Sequence, residues 1–310
     1  MKRYFSKLFQ FSLLALVLYV VGVLVWGSIP YSYIGSNFLY RQGAYGHLNT
    51  RVKEIPNYGD VDILFVGSSR VYRGFDPRIF EKQGVKIFVL GSSSQTPIQS
   101  YVLLKRYIDD LNPKLVVFDL LPSSFAIKGV EPTLDLLAND RIDYLSLEMA
   151  LEENDLMVWN TFIYASIMQF FGVHNVFQER VYKPEERDTY ISGGYVHKEL
   201  KYNLQVECGN DSVHWEAPSQ LQIKYFDKAK RLCFDIGAEL LFINMPVAHY
   251  ECFKNNKELI DLLGLTESLV DFNEILILDD SLHFYDDYHL NSLGLQMLNN
   301  NFIESVKPKF

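Results

Sequence analysis

Five short runs of residues constrain this chain most, because each is apolar at successive positions and not at alternate ones: 63–66, 85–90, 115–121, 240–243 and 275–278. A strand with one wet face alternates, whereas a strand apolar throughout is covered on both faces, the condition of a parallel sheet wrapped by helices. Helical patterns of crossover length lie between the runs, at 76–82, 98–111, 219–236 and 257–263, with a last one at 292–305. Pro77 sits just inside the first, and Gly84 and Gly237 follow two others, the ordinary start and stop signals. Strand and helix in alternation predict an α/β fold: a three-layer α/β/α sandwich around a five-stranded parallel sheet, doubly wound and flavodoxin-like.

The alternation stops between Pro122 and Pro218, a gap of roughly 95 residues that no plain connection in a compact domain spans. The expectation is a largely helical insertion at about 123–217. Its first part is acidic, and its middle carries Trp159, Phe162, Tyr164, Phe170 and Phe171. Packing of these rings onto the sandwich is the simpler reading; a lid, an acyl-chain groove or a membrane-facing patch are the functional ones.

At the amino terminus, residues 8–26 are 19 in a row without a charge. At about 1.5 Å per residue, a helix of that length crosses the ~30 Å hydrocarbon core of a bilayer. Lys2, Arg3 and Lys7 precede it, while Arg41 alone follows over a comparable distance, which orients the amino terminus to the cytoplasm. A cleaved signal peptide has a shorter apolar region, about 7–15 residues, and a small-residue cleavage site that Val25-Trp26-Gly27 only approximates. The expectation is therefore a single-pass signal anchor at 1–26 and a juxtamembrane linker at 27–60 with one short helix. An extracytoplasmic domain, periplasmic or at the cell surface, follows at 61–310. The chain has 29 basic and 38 acidic residues, a net charge of −9, so it has no basic footprint for a nucleic-acid partner. Cys208, Cys233 and Cys252 lack the spacing of a zinc site or a dense disulfide framework.

Ligands of open parallel sheets bind beyond the carboxyl ends of the strands. Gly67-Ser68-Ser69-Arg70 follows the first run, Gly91-Ser92-Ser93-Ser94 the second, and Asp119 with Pro122-Ser123-Ser124 the third. Beyond the last run comes Asp286-Asp287-Tyr288-His289-Leu290-Asn291, then Gly294. A serine hydroxyl attacks an acyl carbon only with a base beside it. His289 is the candidate base for Ser69, and Asp286, three positions earlier, is the candidate orienter of its imidazole. The bland reading of Gly-Ser-Ser is an ordinary turn and helix cap. Arg70 is read either as a clamp for a substrate carboxylate or phosphate or as half of a surface ion pair, and Asp119 as a holder of Arg70 or of a helix end.

With these blocks in this order, the chain resembles the SGNH (GDSL-like) esterase and acyltransferase superfamily over about 62–305, particularly membrane-anchored members that act on cell-envelope polysaccharide. The resemblance implies Ser69 as nucleophile, with Ser68 where the family usually has Asp, and the backbone N–H groups of Gly91 and Ser69 as an oxyanion hole. It matches Asp286-x-x-His289-Leu-Asn-x-x-Gly to the family's carboxy-terminal acid–histidine block. The third block departs from the pattern: Phe118-Asp119-Leu120-Leu121-Pro122 has no asparagine to donate to an oxyanion, so either the Ser69 and Gly91 N–H groups suffice or Ser92 or Ser123 substitutes. Arg70, Ser92 and Asp119 are the expected substrate contacts.

The implied function is a serine esterase or O-acyltransferase working on acyl, chiefly acetyl, esters of envelope glycans. It would use no metal and no cofactor. Its partners would be an acylated glycan or other small acyl ester, the membrane through the amino-terminal helix, and the envelope polysaccharide acylation machinery. Two other readings compete. One is a catalytically inactive SGNH-like binding or assembly module for envelope polysaccharide that presents the insertion; the other is a metal-dependent phosphoesterase using His283, Asp286, Asp287 and His289.

Overall fold

The computed structural model describes residues 1–29, 37–198, 200, 217–250, 257–265 and 268–306. Cys208 and Cys252 lie outside the described residues, and Cys233 is a buried free thiol.

Five parallel strands form the main sheet: β1 (Ile63–Gly67), β2 (Ile87–Gly91), β3 (Leu115–Asp119), β7 (Glu239–Asn244) and β8 (Leu269–Asp271), in the order β2-β1-β3-β7-β8. Three strands between β3 and β7, β4 (Tyr182–Lys183), β5 (Asp188–Ile191) and β6 (Tyr195–Lys198), make a small antiparallel sheet. The continuous apolar runs have the expected cause. On β1, Leu64 and Val66 enter one core while Ile63 and Phe65 enter the other. The first core lies against α5 (Pro97–Leu111) and α11 (Gln220–Asp235) through Ile98, Val102, Tyr225 and Phe226. The second lies against α3 (Ser69–Gly74), α4 (Pro77–Glu81) and the closing helix Ser292–Val306 through Tyr72, Phe80 and Phe302. Asp76 caps α4 by accepting the Arg78 N–H, with Pro77 in the first turn.

One strand differs from the expectation. The fifth is Leu269–Asp271, and residues 275–278 instead end a short helix, Phe272–Ile275, and the loop after it. The Asp271 side chain accepts the Asn273 N–H, which starts the helix and stops the strand. Ile277 is 93% exposed while Leu276 and Leu278 rest on the second core, so this run is buried at alternate positions only.

Within the stretch 27–60, α2 (Leu48–Tyr58) places Leu48, Val52 and Ile55 in the first core, so this helix packs as an element of the sandwich. Arg51 of α2 is fully buried. It donates to the Gly91 carbonyl at 2.7 Å and twice to the Gly194 carbonyl, at 2.9 and 2.8 Å. The β5–β6 turn covers β2, an edge strand, by accepting the Val89 N–H at Gly193 O. Gly194 is required there: its φ is +87°, and a Cβ would lie 2.2 Å from Val89 O.

The insertion also holds α6 (Pro122–Ala126), α7 (Val130–Asn139), α8 (Tyr144–Glu153), α9 (Leu156–Phe170) and α10 (Val173–Val176). The sequence patterns did not anticipate its antiparallel strands, because two to four residues are too few to display a period. The amino-terminal helix α1 (Lys2–Gly27) is long and apolar enough to cross a membrane, with a mean hydropathy of 2.5 over an 18-residue stretch. Its last turns meet α9, where Val23, Phe38 and Tyr164 cluster.

Candidate active site

β1 and β2 end in register at Gly67 and Gly91. A Cβ on Gly91 would sit 2.7 Å from the Gly67 carbonyl oxygen, and one on Gly67 2.5 Å from Val71 Cγ2, so both strand ends require glycine to close this tightly. From Gly67 the chain passes through an extended Ser68 into α3, which makes Ser69 its first residue. The Ser69 and Arg70 N–H groups therefore have no acceptor within the helix.

Ser69 Oγ lies 2.8 Å from His289 Nε2. His289 Nδ1 lies 2.8 and 2.9 Å from the two carboxylate oxygens of Asp286. The spacing of three between acid and histidine is that of a tight turn: Asp286 Oδ1 also accepts the backbone N–H groups of Tyr288 and His289, each at 2.9 Å. The Tyr285 ring stacks on the imidazole, with centroids 5.4 Å apart and planes 5° from parallel, so the ring has one plane to occupy. Serine, histidine and carboxylate stand in file at the carboxyl edge of the sheet, brought together from segments 220 positions apart.

Burial holds the His289 imidazole below its ordinary value; Asp286 opposes this, and Arg73 and Arg70 push it further down. Burial would raise the Asp286 carboxyl, but hydrogen bonds from His289 and the two backbone N–H groups, with the imidazole's charge, outweigh it and hold the group below the usual carboxylate range. At neutral pH the file is thus a neutral imidazole against an ionised carboxylate. Nδ1–H donates to Asp286, which leaves Nε2 to accept from the Ser69 hydroxyl.

A cleft of about 250 Å³ opens over Ser69 and His289. Ser94, Gln95, Leu121, Ser123, Ile127 and Tyr288 border it. Of the expected substrate contacts, Arg70 alone borders this cleft, and its side chain is 1% exposed. Arg70 Nε lies 3.2 Å from Asp119 Oδ2, Nη2 donates to the Met245 carbonyl at 2.5 Å, and Asp119 Oδ1 accepts the Met245 N–H. Arg70 and Asp119 are thus a buried pair that ties α3 to the ends of β3 and β7, and Arg70 is neither a surface ion pair nor an exposed clamp. Ser92 is buried as well, its hydroxyl donating to Gln95 Oε1 at 3.0 Å. Of the two serines considered as replacements for the missing asparagine, Ser123 borders the cleft and Ser92 does not. The Gly91 carbonyl is held by Arg51, which fixes the peptide that follows it.

His283 does not converge on the site; its Nδ1 accepts the Asp279 N–H at 2.8 Å. Among the described residues, no group of three or more His, Cys, Asp or Glu side chains is placed to hold a metal ion. Sequence reasoning missed Gln95 and Tyr285, and it quoted Ser94 and Tyr288 within the strand-end blocks without giving them a role. Ser94 has φ +47°, a conformation its residue type does not announce, and Tyr285 acts through a ring contact that no spacing rule encodes.

A doubly wound parallel sheet that carries Ser, His and Asp in hydrogen-bonded file defines a site equipped for acyl transfer through a serine. No family model matches the chain, and no curated protein matches it. Among solved structures the chain is similar to a provisionally named acylhydrolase of Bacteroides fragilis NCTC 9343, at 11% identity and TM-score 0.43, over 86% of this chain and 98% of that one. It is also similar to a GDSL-like lipase of Bacteroides thetaiotaomicron VPI-5482 (10% identity, TM-score 0.39, 86% and 99%). A third is an acetyl xylan esterase (12%, 0.28, 79% and 98%).

Proposed function

We propose that the chain is a membrane-anchored serine enzyme that cleaves acyl esters, with Ser69 as nucleophile, His289 as general base and acid, and Asp286 as the group that holds His289. Ser69 Oγ attacks the ester carbon while its proton passes to His289 Nε2. The oxyanion is held by backbone N–H groups of Ser69 and Gly91, with the Ser123 hydroxyl as a side-chain donor. Collapse forms acyl-Ser69 and releases the alcohol, which takes the proton back from the imidazolium. A second attack on acyl-Ser69, with His289 again as base, frees the enzyme. Water as that acceptor makes an esterase, and a sugar hydroxyl makes an O-acyltransferase.

The observation that carries this reading is the 2.8 Å contact between Ser69 Oγ and His289 Nε2. A mere turn-forming serine has no reason to meet a histidine that a carboxylate already orients. Location and size support the substrate class: α1 is long and apolar enough to anchor the chain, the reading on which the site lies outside the cytoplasm beside the membrane, and a cleft of about 250 Å³ suits a short acyl group on a sugar. Acylated envelope glycans, acetylated ones foremost, are the proposed substrates, with the acylation machinery of that envelope as partner.

The test incubates the purified chain with a fluorophosphonate probe and with acetylated glycan and aryl acetate substrates, beside Ser69→Ala and His289→Ala and with added chelator. The expected result is covalent labelling of Ser69, and turnover that both variants lose and chelator spares. A folded wild type that neither labels nor turns over refutes the enzyme and leaves a binding module; turnover that chelator abolishes refutes the serine mechanism.

A further inference from the structure

A second cavity, of about 410 Å³, lies between α1 and α9. Leu18, Gly22, Val23 and Trp26 of α1 form one wall, and Phe38 and Leu156 line the opposite side. Two of its polar side chains are engaged with each other: the Tyr19 hydroxyl donates to Asn160 Oδ1, and Asn160 Nδ2 donates in turn to the Asn37 carbonyl at 2.6 Å. An occupant would therefore meet mainly methyl, methylene and ring surface.

Two glycines of α1 show that the space is left open by the sequence. A Cβ on Gly27 would lie 2.4 Å from the Tyr164 ring, so there glycine admits close packing of the helix on α9. A Cβ on Gly22 would meet nothing within 4 Å, so there glycine notches the helix beside empty space. Small residues on membrane helices ordinarily serve close approach, and Gly22 does not.

The surrounding surface fixes the medium that the groove faces. From Leu8 to Trp26 α1 is uncharged and largely exposed, and no charged residue occurs anywhere in α9. Phe170 and Phe171, at the far end of α9, are 84% and 71% exposed. A groove walled by a membrane-spanning helix opens on lipid tails, and its polar groups must be satisfied within the protein, as the Tyr19–Asn160–Asn37 chain is.

We propose that the groove between α1 and α9 binds one hydrocarbon chain of a bilayer lipid. This rests on the reading of α1 as a membrane anchor. The chain of the lipid fills the notch at Gly22, and α9 lies against the outer leaflet beside the anchor.

The experiment reconstitutes the full chain in phosphatidylcholine vesicles that contain a phospholipid with a diazirine on its palmitoyl chain, irradiates, and maps the adducts by mass spectrometry. Gly22→Phe fills the notch without a clash at Cβ, and Leu14→Phe, elsewhere on the exposed surface of α1, is the control. The expected result is adducts concentrated on 18–26 and 156–160 in wild type and Leu14→Phe, and their loss in Gly22→Phe. Adducts spread evenly along α1 and unchanged by Gly22→Phe would overturn the proposal. So would an oxidative disulfide crosslink between copies of a Gly22→Cys variant at position 22, since a second chain would then be the occupant. Alkaline extraction distinguishes the two failures: an integrated chain with even labelling sinks the groove alone, and a chain released from the vesicles sinks the anchor and the groove together.

Discussion

Replacing Asp286 by Asn changes one atom and reverses the direction of one hydrogen bond. Both backbone N–H groups of the turn, from Tyr288 and His289, go to Oδ1 at 2.9 Å, whereas Oδ2 meets only His289 Nδ1, also at 2.9 Å. In the variant, the amide oxygen stays with the two backbone donors and the amide nitrogen takes the place of Oδ2. It then faces Nδ1 at 2.9 Å beside the amide oxygen at 2.8 Å, and the tautomer in which it donates to Nδ1 carries the imidazole proton on Nε2, 2.8 Å from Ser69 Oγ. A protonated Nε2 cannot take the serine proton. The turn survives and the base is lost, so kcat/KM should fall about 10⁴-fold, or roughly 5 kcal/mol of transition-state stabilisation. The assay is steady-state hydrolysis of an aryl acetate at neutral pH, with Ser69→Ala as baseline and a thermal melt to check the fold. A melting temperature near wild type with activity within about tenfold of wild type would refute the assigned role of Asp286.

Three further outcomes follow from the same geometry. The neutral imidazole is the working form and is held below the ordinary value of 6.5, mainly by burial; kcat/KM should therefore drop on acidification with a midpoint under 6.5, while the still lower Asp286 stays ionised, and a midpoint above 6.5 contradicts this. Arg70→Met strands a buried carboxylate at Asp119, so denaturant unfolding should register a loss of about 3–5 kcal/mol that Arg70→Met with Asp119→Leu largely recovers; a clamp for substrate would instead raise KM at unchanged stability. Gly91→Ala puts a Cβ 2.7 Å from a backbone oxygen that has nowhere to go, and should lower stability by about 1–3 kcal/mol as well as disturb the Ser69 turn, which melting and fluorophosphonate labelling would both detect.

Much of the scaffold was legible because burial on both faces leaves a mark on composition: four of the five apolar runs are strands of the parallel sheet. The run at 275–278 misled because four apolar residues in a row also describe an exposed loop with two side chains turned inward, and periodicity cannot separate these over so short a length. β8 was invisible for the complementary reason: Leu269–Asp271 is a half-buried edge strand of three residues. The proximity of Ser69 to His289 could be expected from strand ends that share one edge of a doubly wound sheet. The pairing of Arg70 with Asp119 was one of two readings, and the structure selects it because α3 carries Arg70 directly over the end of β3. Arg51 could not be found from sequence. A charged side chain in a polar stretch carries no sign that its guanidinium will reach two carbonyls from different sheets.

The proposed nucleophile and base belong to opposite ends of the folded domain's sequence, and this has a consequence during biosynthesis. On the proposed signal-anchor reading, with the amino terminus held on the cytoplasmic side, the segment next to the anchor threads outward first, so the serine arrives early and the imidazole only with the closing segment. Until then the hydroxyl has no proton acceptor, and a partly emerged polypeptide is chemically silent. Ester cleavage thus becomes a report on completed assembly: the first turnover can occur only after the last helix has docked against the first strand.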